Sequence, residues 1–347
     1  HNGNRGLGPI QRLNGLPEPL RPRRSFSTRH PVTIDFGAFP MTLLGEISTK
    51  TFLETYWQQQ PLLVRDALPN WPSPLSGDEL AGLAMEPDVA SRMVRGSEDQ
   101  DQWSVAFGPF EAADFATLPT SNWSLLVQST DLWVPEIAAV KNRFNFLPSW
   151  RLEDIMVSFA PPGGSVGPHF DQYDVFLIQV EGRRHWKIGQ RCDENAPLLP
   201  GVDLSILADF QTETEHTLSP GDMLYIPPGV AHHGVALDNC LTYSVGFRAP
   251  TLGEMISDLA TDLVTEPDQL VYRDPAPSLW QHDQITDAHI DQIQTMVQAL
   301  ANDRRRLADW LARYVTRPKS EPGTTPVIEH RTAETPRGQY RNGVQEA

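Results

Sequence analysis

Residues 158–189 read "SFAPPGGSVGPHFDQYDVFLIQVEGRRHWKIG", and this stretch decides the fold class. It contains two apolar runs, 174–180 and 184–189, which are short and are separated by a turn at Gly182. Similar runs recur at 123–128, 154–160, 222–227 and 241–247. Turns rich in Gly and Pro separate the runs, and no helical pattern lies between the five runs from 154 to 247. Short strands spaced in this way are typical of an antiparallel β-barrel or a double-sheet jelly roll. We therefore predict a mainly β fold with flanking helices.

The bulk composition excludes several classes of protein. The 347 residues carry a formal net charge of −16, which disfavours direct binding to nucleic-acid phosphates and is compatible with a basic partner. No apolar run approaches the roughly 18 residues that cross a bilayer, so we expect no membrane insertion. The two cysteines, Cys192 and Cys240, cannot form a disulfide framework and include no C-x-x-C pair. This cysteine usage favours a reducing, cytoplasmic location.

The chain divides into four segments. Residues 1–40 are rich in Gly, Pro and Arg and lack apolar periodicity, so we predict a disordered leader. Its arginine content also fits an organelle transit peptide, although we favour an upstream or vector-derived stretch ahead of a natural start at Met41. Residues 41–250 carry the strand pattern and form the predicted catalytic domain. Residues 251–316 are predicted to be helical, with an apolar stripe that could pack on the barrel or on a second copy, and residues 317–347 to be a disordered tail.

Candidate metal ligands lie just before the apolar run 174–180. His169 and Asp171 are two residues apart, so on an extended segment their side chains point to the same face. A lone pair of this kind is more often a surface or hydrogen-bonded pair than a site. The stretch "PGDMLYIPPGVAHHG", residues 220–234, supplies a third ligand in His232. Two imidazoles and one carboxylate form the facial triad that holds non-haem Fe(II) with positions open for O2 and a cosubstrate.

Neighbouring histidines are assigned other roles. On an extended segment His233 faces away from His232, so we expect it to support the site from outside or to be exposed. His185 and His216 are interpreted as surface or core histidines with ordinary partners. Structural zinc normally takes four protein ligands, often cysteines, and the sequence offers no cysteine pair near the triad. Iron is therefore the predicted metal.

A basic residue suited to an anionic cosubstrate follows the turn at Gly182. On the strand 184–189, Arg184 shares a face with Trp186 and Ile188, and this apolar face should be the interior. A buried arginine needs an anionic partner, and its planar fork suits a carboxylate. We predict that Arg184 binds the C5 carboxylate of 2-oxoglutarate, with a structural salt bridge as the alternative.

The motifs carry a family resemblance. The spacing of Gly221, Pro227, Gly229 and His232 resembles the second motif of cupin barrels. Residues 158–189, together with "LSPGDMLYIPPGVAHHG" (218–234) and "YSVGFRAP" (243–250), strongly resemble the bacterial JmjC-type ribosomal oxygenases. "ELAGLAMEPDVASRMV" (79–94) and "NWSLLVQ" (122–128) extend the resemblance, which runs from about Met41 to near Thr316.

The resemblance implies a fold and an activity. It implies a double-stranded β-helix of the cupin/JmjC type followed by a helical dimerisation region, and hence a homodimer. The family hydroxylates an arginine of large-subunit ribosomal protein L sixteen, using Fe(II), O2 and 2-oxoglutarate, which becomes succinate and CO2. Residue by residue, His169, Asp171 and His232 match the iron ligands and Arg184 matches the 2-oxoglutarate-binding residue. Relatives end in a winged-helix domain, which the polar segment 317–347 leads us to expect to be absent.

Tyr173 and Asp174, next to the ligands, are the candidates for substrate contacts. By the parity of the ligands, Tyr173 faces inward and could line the substrate pocket. Asp174 could pair with a substrate guanidinium, although its opposite parity favours a structural role.

Three other functions stay open at this point. Relatives that hydroxylate histidine in other ribosomal proteins share the triad. A different cupin enzyme, such as a sugar isomerase or a dioxygenase without a cosubstrate, would have a further His or Glu in the first motif. A non-catalytic module could instead bind a basic partner through its acidic surface.

Overall fold

The structure, a computed structural model, describes residues 43–96, 103–265, 270–279, 283–318, 331–336 and 338–346. The leader predicted over residues 1–40 lies outside these ranges. No helix within them is both long and apolar enough to span a bilayer.

The described elements follow the strand pattern of the sequence between short helices. The α-helices are α1 (Thr49–Thr51), α2 (Gly77–Leu83), α3 (Ala112–Ala116), α4 (Pro135–Ala138), α5 (Leu252–Val264), α6 (Asp287–Asn302) and α7 (Arg304–Thr316); a π-helical turn (Phe52–Tyr56) continues α1, and 3-10 turns lie at Thr130–Leu132, Ala139–Phe144, Ser149–Arg151 and Pro277–Leu279. The strands are β1 (Leu62–Val64), β2 (Ser91–Arg95), β3 (Ser104–Phe107), β4 (Trp123–Val127), β5 (Leu152–Ala160), β6 (Asp174–Glu181), β7 (Arg184–Arg191), β8 (Thr212–Leu218), β9 (Met223–Ile226), β10 (Val230–Ala236), β11 (Cys240–Phe247), β12 (Thr332–Thr335), β13 (Gly338–Arg341) and β14 (Val344–Gln345).

Two antiparallel sheets form the body of the molecule. The large sheet has the strand order β1-β9-β6-β11-β5-β4-β2-β3, and the small sheet has the order β10-β7-β8. Along the chain, β5 and β6 belong to the large sheet, β7 and β8 to the small one, and β9, β10 and β11 alternate between them. This crossing between two sheets is the jelly-roll arrangement. The predicted fold class is confirmed.

The large sheet is covered on both faces. Seven of the eight residues of β6 are buried, which explains why this strand reads as a continuous apolar run rather than an alternating one. The outer face of the large sheet packs against helical segments through aromatic rings. The ring centroids of Phe52 and Tyr225 lie 5.1 Å apart, and those of Phe144 and Phe176 lie 5.0 Å apart. The inner face of the large sheet is directed toward the small sheet and encloses the interior of the barrel.

The C-terminal part differs from the prediction. Helix α7 contacts α5 through Trp310 Nε1, which donates to Asp258 Oδ1 at 3.0 Å. The segment predicted to be a disordered tail, 317–347, contains the antiparallel sheet β12-β13-β14 in its described residues. This expectation was wrong because one aromatic residue, Tyr340, is buried against α7 and donates to Asp309.

A turn signal in that segment was overlooked. Asn342 and Gly343 both have positive φ, at 48° and 82°, and join β13 to β14; Asn-Gly is the pair that such hairpin turns favour. In the described residues, helices α6 and α7 are followed by this three-stranded ribbon. The expectation that a winged-helix domain is absent stays a prediction.

Candidate metal centre

The three predicted metal ligands converge at one end of the barrel. His169 and Asp171 lie in the segment before β6, and His232 lies on β10. The backbones of His169 and His232 form a β-bridge, with N–H to O distances of 3.0 and 2.8 Å. One ligand atom of each of the three residues lies within 4.8 Å of the others, and His232 Nε2 is 3.7 Å from Asp171 Oδ2. The bridge therefore fixes the relative position of the two imidazoles.

Backbone carbonyls orient both imidazoles. His169 Nδ1 lies 2.9 Å from the carbonyl oxygen of Gly167, and His232 Nδ1 lies 3.0 Å from that of Val230. Since a carbonyl can only accept, each Nδ1 carries the proton, and each Nε2 presents a lone pair. Metal-binding histidines are commonly held in this way by a partner on the second ring nitrogen.

The electrostatics suit metal binding at neutral pH. His232 is buried, and burial, followed by the neighbouring His169, lowers its pKa to about 4. The imidazole is therefore neutral at pH 7, the form that binds a metal ion. Two nitrogens and one carboxylate leave coordination positions open, which a redox-active divalent metal such as Fe(II) uses in oxygen chemistry.

Arg184 is buried in the barrel on β7. It is 6% exposed, and its Nε and Nη2 atoms have no hydrogen-bond partner among the described residues. Its guanidinium carbon lies 5.7 Å from the ring centroid of Trp186, which in turn lies 5.9 Å from that of His232. A buried charge without a partner costs several kcal/mol. The arrangement therefore fits an anion that extends from the ligand triad to Arg184.

The inner face of β5 and β11 carries mostly small or polar side chains. On the large sheet, Val157, Tyr243 and Val245 belong to the outer core, so the alternate residues of β5 and β11 face the interior. These inner residues include Asp154, Met156 and Ser158 on β5 and Thr242, Ser244 and Gly246 on β11. Small side chains here leave room for a compact ligand between the two sheets.

Comparison with known proteins identifies the family. Residues 139–255 match the JmjC domain, a range that contains the triad and Arg184. A second match, to the AraC-like ligand binding domain, covers residues 210–307 and so contains only His232 of these four. The ribosomal protein uL16 3-hydroxylase of Escherichia coli is 41% identical over 272 residues, which are 78% of this chain and 72% of that protein.

The chain belongs to the JmjC ribosomal oxygenase family. A probable ribosomal oxygenase of Haemophilus influenzae is 40% identical over 258 residues, 73% of this chain and 63% of that protein. The E. coli ribosomal oxygenase YcfD, solved in complex with cobalt and 2-oxoglutarate, superposes with a TM-score of 0.76 at 34% identity and covers 87% of this chain and 86% of its own. The resemblance predicted from the sequence is confirmed.

The structure separates the two residues predicted to contact substrate. Tyr173 is half-exposed beside the triad, where burial and then Asp171 raise the pKa of its phenol. Asp174 is fully buried on the outer side of the large sheet, where its carboxylate accepts from Tyr225 Oη at 2.5 Å and from Gln58 Nε2 at 3.2 Å, and lies 3.4 Å from Arg151 Nη2. The suggestion that Asp174 pairs with a substrate is therefore wrong, because strand alternation turns it toward the N-terminal helices.

A different carboxylate lies beside the ribosomal oxygenase site. Oδ2 of Asp154, on β5, accepts hydrogen bonds from Gln128 Nε2 at 2.7 Å and from the Ser129 amide at 3.0 Å. The other oxygen, Asp154 Oδ1, has no hydrogen-bond partner among the described residues. It lies beside Gly246 and the ring of Tyr173: a Cβ built on Gly246 would be 3.6 Å from Asp154 Oδ1 and 3.8 Å from Tyr173 Cε2. Sequence reasoning missed Asp154, although it alternates with the apolar residues of "DIMVSFA" and so falls on the inner face.

Proposed function

We propose that this protein is an Fe(II)- and 2-oxoglutarate-dependent oxygenase that hydroxylates an arginine side chain of large-subunit ribosomal protein uL16. The observation that carries the proposal is a buried Arg184, two of whose nitrogens have no partner among the described residues, in the same barrel as two imidazoles and a carboxylate. The imidazoles and the carboxylate can bind a metal, and Arg184 can pair with the far carboxylate of a dicarboxylate that chelates this metal. The identity to the E. coli uL16 3-hydroxylase supports the choice of substrate.

Different residues would bind the metal and the cosubstrate. His169, Asp171 and His232 would hold Fe(II), and Arg184 would pair with the far carboxylate of 2-oxoglutarate. When bound, Fe(II) and 2-oxoglutarate supply the oxidising chemistry, in which O2 is consumed, succinate and CO2 form, and one oxygen atom reaches the substrate. Trp186, between Arg184 and His232, carries a buried indole N–H without a partner among the described residues and is available to orient the cosubstrate.

The site's remaining charge favours a cationic substrate. Asp154 Oδ1 faces the interior beside Tyr173, so a guanidinium that enters there meets a carboxylate held in place through its other oxygen. A bidentate or charge-assisted contact of this kind orients an arginine and discriminates against a neutral imidazole. The protein's contribution is to position the target carbon near the open side of the triad.

The substrate is tested with the full chain, Fe(II), 2-oxoglutarate, O2 and a uL16 fragment, with mass spectrometry to locate any added oxygen atom. We expect one added oxygen on an arginine and none when that arginine is replaced by lysine. Addition to a histidine, or modification only of a fragment from another ribosomal protein, would contradict the choice of substrate. Activity that persists without 2-oxoglutarate would contradict the reaction class.

We also infer that the protein acts as a homodimer in the cytoplasm, where ribosomal proteins are available. Exposed apolar residues recur on the outer faces of α5 and α6: Leu252, Ile256, Ile290, Ile293 and Val297. Exposed apolar side chains that recur on helices are typical of an interface between subunits. Sedimentation of the full chain and of an Ile293→Asp variant tests this inference; a wild-type monomer at micromolar concentration would contradict it.

A further inference from the structure

The second histidine of the pair at 232–233 contacts the segment that carries the other metal ligands. His233 is completely buried, and its Nε2 lies 2.9 Å from Ser165 Oγ. The same Oγ accepts a hydrogen bond from the Gly167 amide at 3.1 Å, and the Gly167 carbonyl lies 2.9 Å from His169 Nδ1. A continuous series of hydrogen bonds therefore connects β10 with the imidazole of His169.

This contact fills an interruption in a backbone ladder. In the small sheet, β10 pairs with β7 along one of its edges. The segment 163–169 runs along the other edge of β10. Backbone pairs join the segment to β10 at its two ends, between Gly163, Gly164 and Ala236 and between His169 and His232. Between these two ends, the contact of His233 Nε2 with Ser165 Oγ links the segment to β10.

The local backbone at Gly167 needs such a support. Gly167 has a φ of +80°, and a Cβ there would lie 3.0 Å from Ile206, so the chain turns sharply just before the ligands. A hydroxyl that accepts from the amide two residues later is the contact that stabilises a turn of this kind. Because the carbonyl of Gly167 orients His169, any change in this turn is transmitted to the metal ligand.

We propose that His233 is a positioning residue for the metal centre: through Ser165 it holds the 165–167 turn, and hence His169, in the orientation that binds the metal. The two adjacent histidines then act on opposite faces of β10, His232 as a ligand and His233 as an anchor for the other imidazole. The proposal rests on the proposed function, since it assumes that the triad binds a metal. It concerns the orientation of His169 and not the protonation of any group.

The test is the affinity of the full-length apoprotein for Co(II), followed by the visible absorption of the bound ion, in the absence of 2-oxoglutarate. Loss of a partner that orients a ligand typically weakens metal binding about 10- to 100-fold. We expect a weakening of about tenfold for His233→Leu and for Ser165→Ala, with a changed absorption spectrum. The double variant should be no weaker than either single one, because both changes interrupt the same series of contacts.

Two further variants separate positioning from general destabilisation. The Gln amide can donate to or accept from Ser165 Oγ at the reach of Nε2, so His233→Gln should recover most of the affinity. His185 lies on β7 of the same sheet, on the same face as His233, and contacts Thr217 and Glu215 instead; His185→Leu should leave the Co(II) affinity within about twofold of wild type.

The outcomes distinguish this proposal from the proposed function. If His233→Leu and Ser165→Ala bind Co(II) as tightly as wild type, or if His233→Gln binds no better than His233→Leu, the positioning role is wrong. Should His233→Leu fail to fold, Ser165→Ala, which removes one oxygen atom, decides the question alone. If the wild type binds no Co(II), or if His169→Ala binds it unchanged, the metal centre and with it the proposed function fail.

Discussion

The outer face of the large sheet and the interior between the two sheets differ in how completely their charges are paired. On the outer face, Asp174 has no exposed surface and accepts hydrogen bonds from Tyr225 and Gln58 beside a guanidinium. In the interior, the buried Arg184 has two nitrogens without a partner among the described residues. The protein alone completes the first set of interactions, whereas the second set requires a ligand. Stability is therefore expected to depend on the outer face and activity on the interior.

The largest expected effect is the loss of activity on removing an interior ligand. Asp171→Ala should reduce product formation to the level of an enzyme-free control, because only two imidazoles remain to hold the metal. The free energy of unfolding of the apoprotein should change by less than about 1 kcal/mol, as for other partly exposed positions. Product yield by mass spectrometry and urea unfolding measure the two quantities. Substantial turnover by this variant would contradict the metal assignment.

Removing the interior cation should weaken cosubstrate binding without weakening the fold. Arg184→Met takes away one partner of a buried charge pair, a change that costs about 2–5 kcal/mol in binding. We expect the Kd for 2-oxoglutarate, measured without oxygen on the Mn(II)-loaded protein, to rise roughly 100-fold. The apoprotein should be as stable as wild type or more stable, because an unpaired buried charge has been removed. A clear loss of stability would instead indicate a structural salt bridge.

The reverse result is expected on the outer face. Asp174→Asn leaves Arg151 and Gln58 facing an amide nitrogen, so the free energy of unfolding should fall by about 2 kcal/mol. The Kd for 2-oxoglutarate should stay at the wild-type value, because this carboxylate points away from the interior. Urea unfolding and the same binding assay provide the comparison. A variant with normal stability and weakened binding would invalidate the division between the two faces.

A smaller effect is expected at the second interior carboxylate. Asp154→Asn keeps an acceptor for Gln128 and Ser129 but offers the substrate an amide instead of a charge. The loss of a charge-assisted hydrogen bond should raise KM for the uL16 fragment about tenfold, while KM for 2-oxoglutarate stays unchanged. Steady-state kinetics with each substrate varied in turn separates the two constants. Equal changes in both would place Asp154 in the cosubstrate pocket.

The smallest effect is the pH dependence of stability, which has opposite signs for His232 in the interior and for Asp174 on the outer face of the large sheet. The pKa of His232 is lowered to about 4 in the folded protein, so as the pH falls the imidazole is protonated in the unfolded chain before it is protonated in the folded one. This difference should lower the free energy of unfolding of the apoprotein by about 1 kcal/mol between pH 7 and pH 5.5. Burial raises the pKa of Asp174, so this group favours the folded state as the pH falls. In thermal unfolding, His232→Leu should therefore show a weaker loss of Tm on acidification than wild type, and Asp174→Asn a stronger one. The same pH dependence in all three proteins would contradict these shifts.

Much of the barrel could be predicted from the sequence because its strands are apolar and bounded by Gly and Pro. The six predicted runs correspond to β4, β5, β6, β7, β9 and β11. The strand β8 was missed because its sequence, TETEHTL, is polar and mostly exposed at the edge of the small sheet. Alternation in that segment does not distinguish a strand from a loop.

The parts of the candidate site that could be predicted are those in which strand alternation alone determines whether a side chain faces the interior. Spacing placed His169, Asp171 and Arg184 on the inner side, and the structure brings them together with His232 in one barrel. Parity also directs Asp154 inward, but its position beside Tyr173 and Gly246 depends on the pairing of β5 with β11, which the sequence does not give. The contact of His233 with Ser165, 68 residues apart in sequence, is likewise a product of the tertiary fold.

The most direct test of the account is the ratio of succinate formed to arginine hydroxylated, measured in one reaction of the full chain with Fe(II), 2-oxoglutarate, O2 and the uL16 fragment. If the triad and Arg184 hold the metal and 2-oxoglutarate for one coupled reaction, we expect equal amounts of succinate and hydroxylated arginine from the wild type, and neither product from Asp171→Ala. Hydroxylated arginine without an equal amount of succinate, or succinate formation by Asp171→Ala at the wild-type rate, would contradict it.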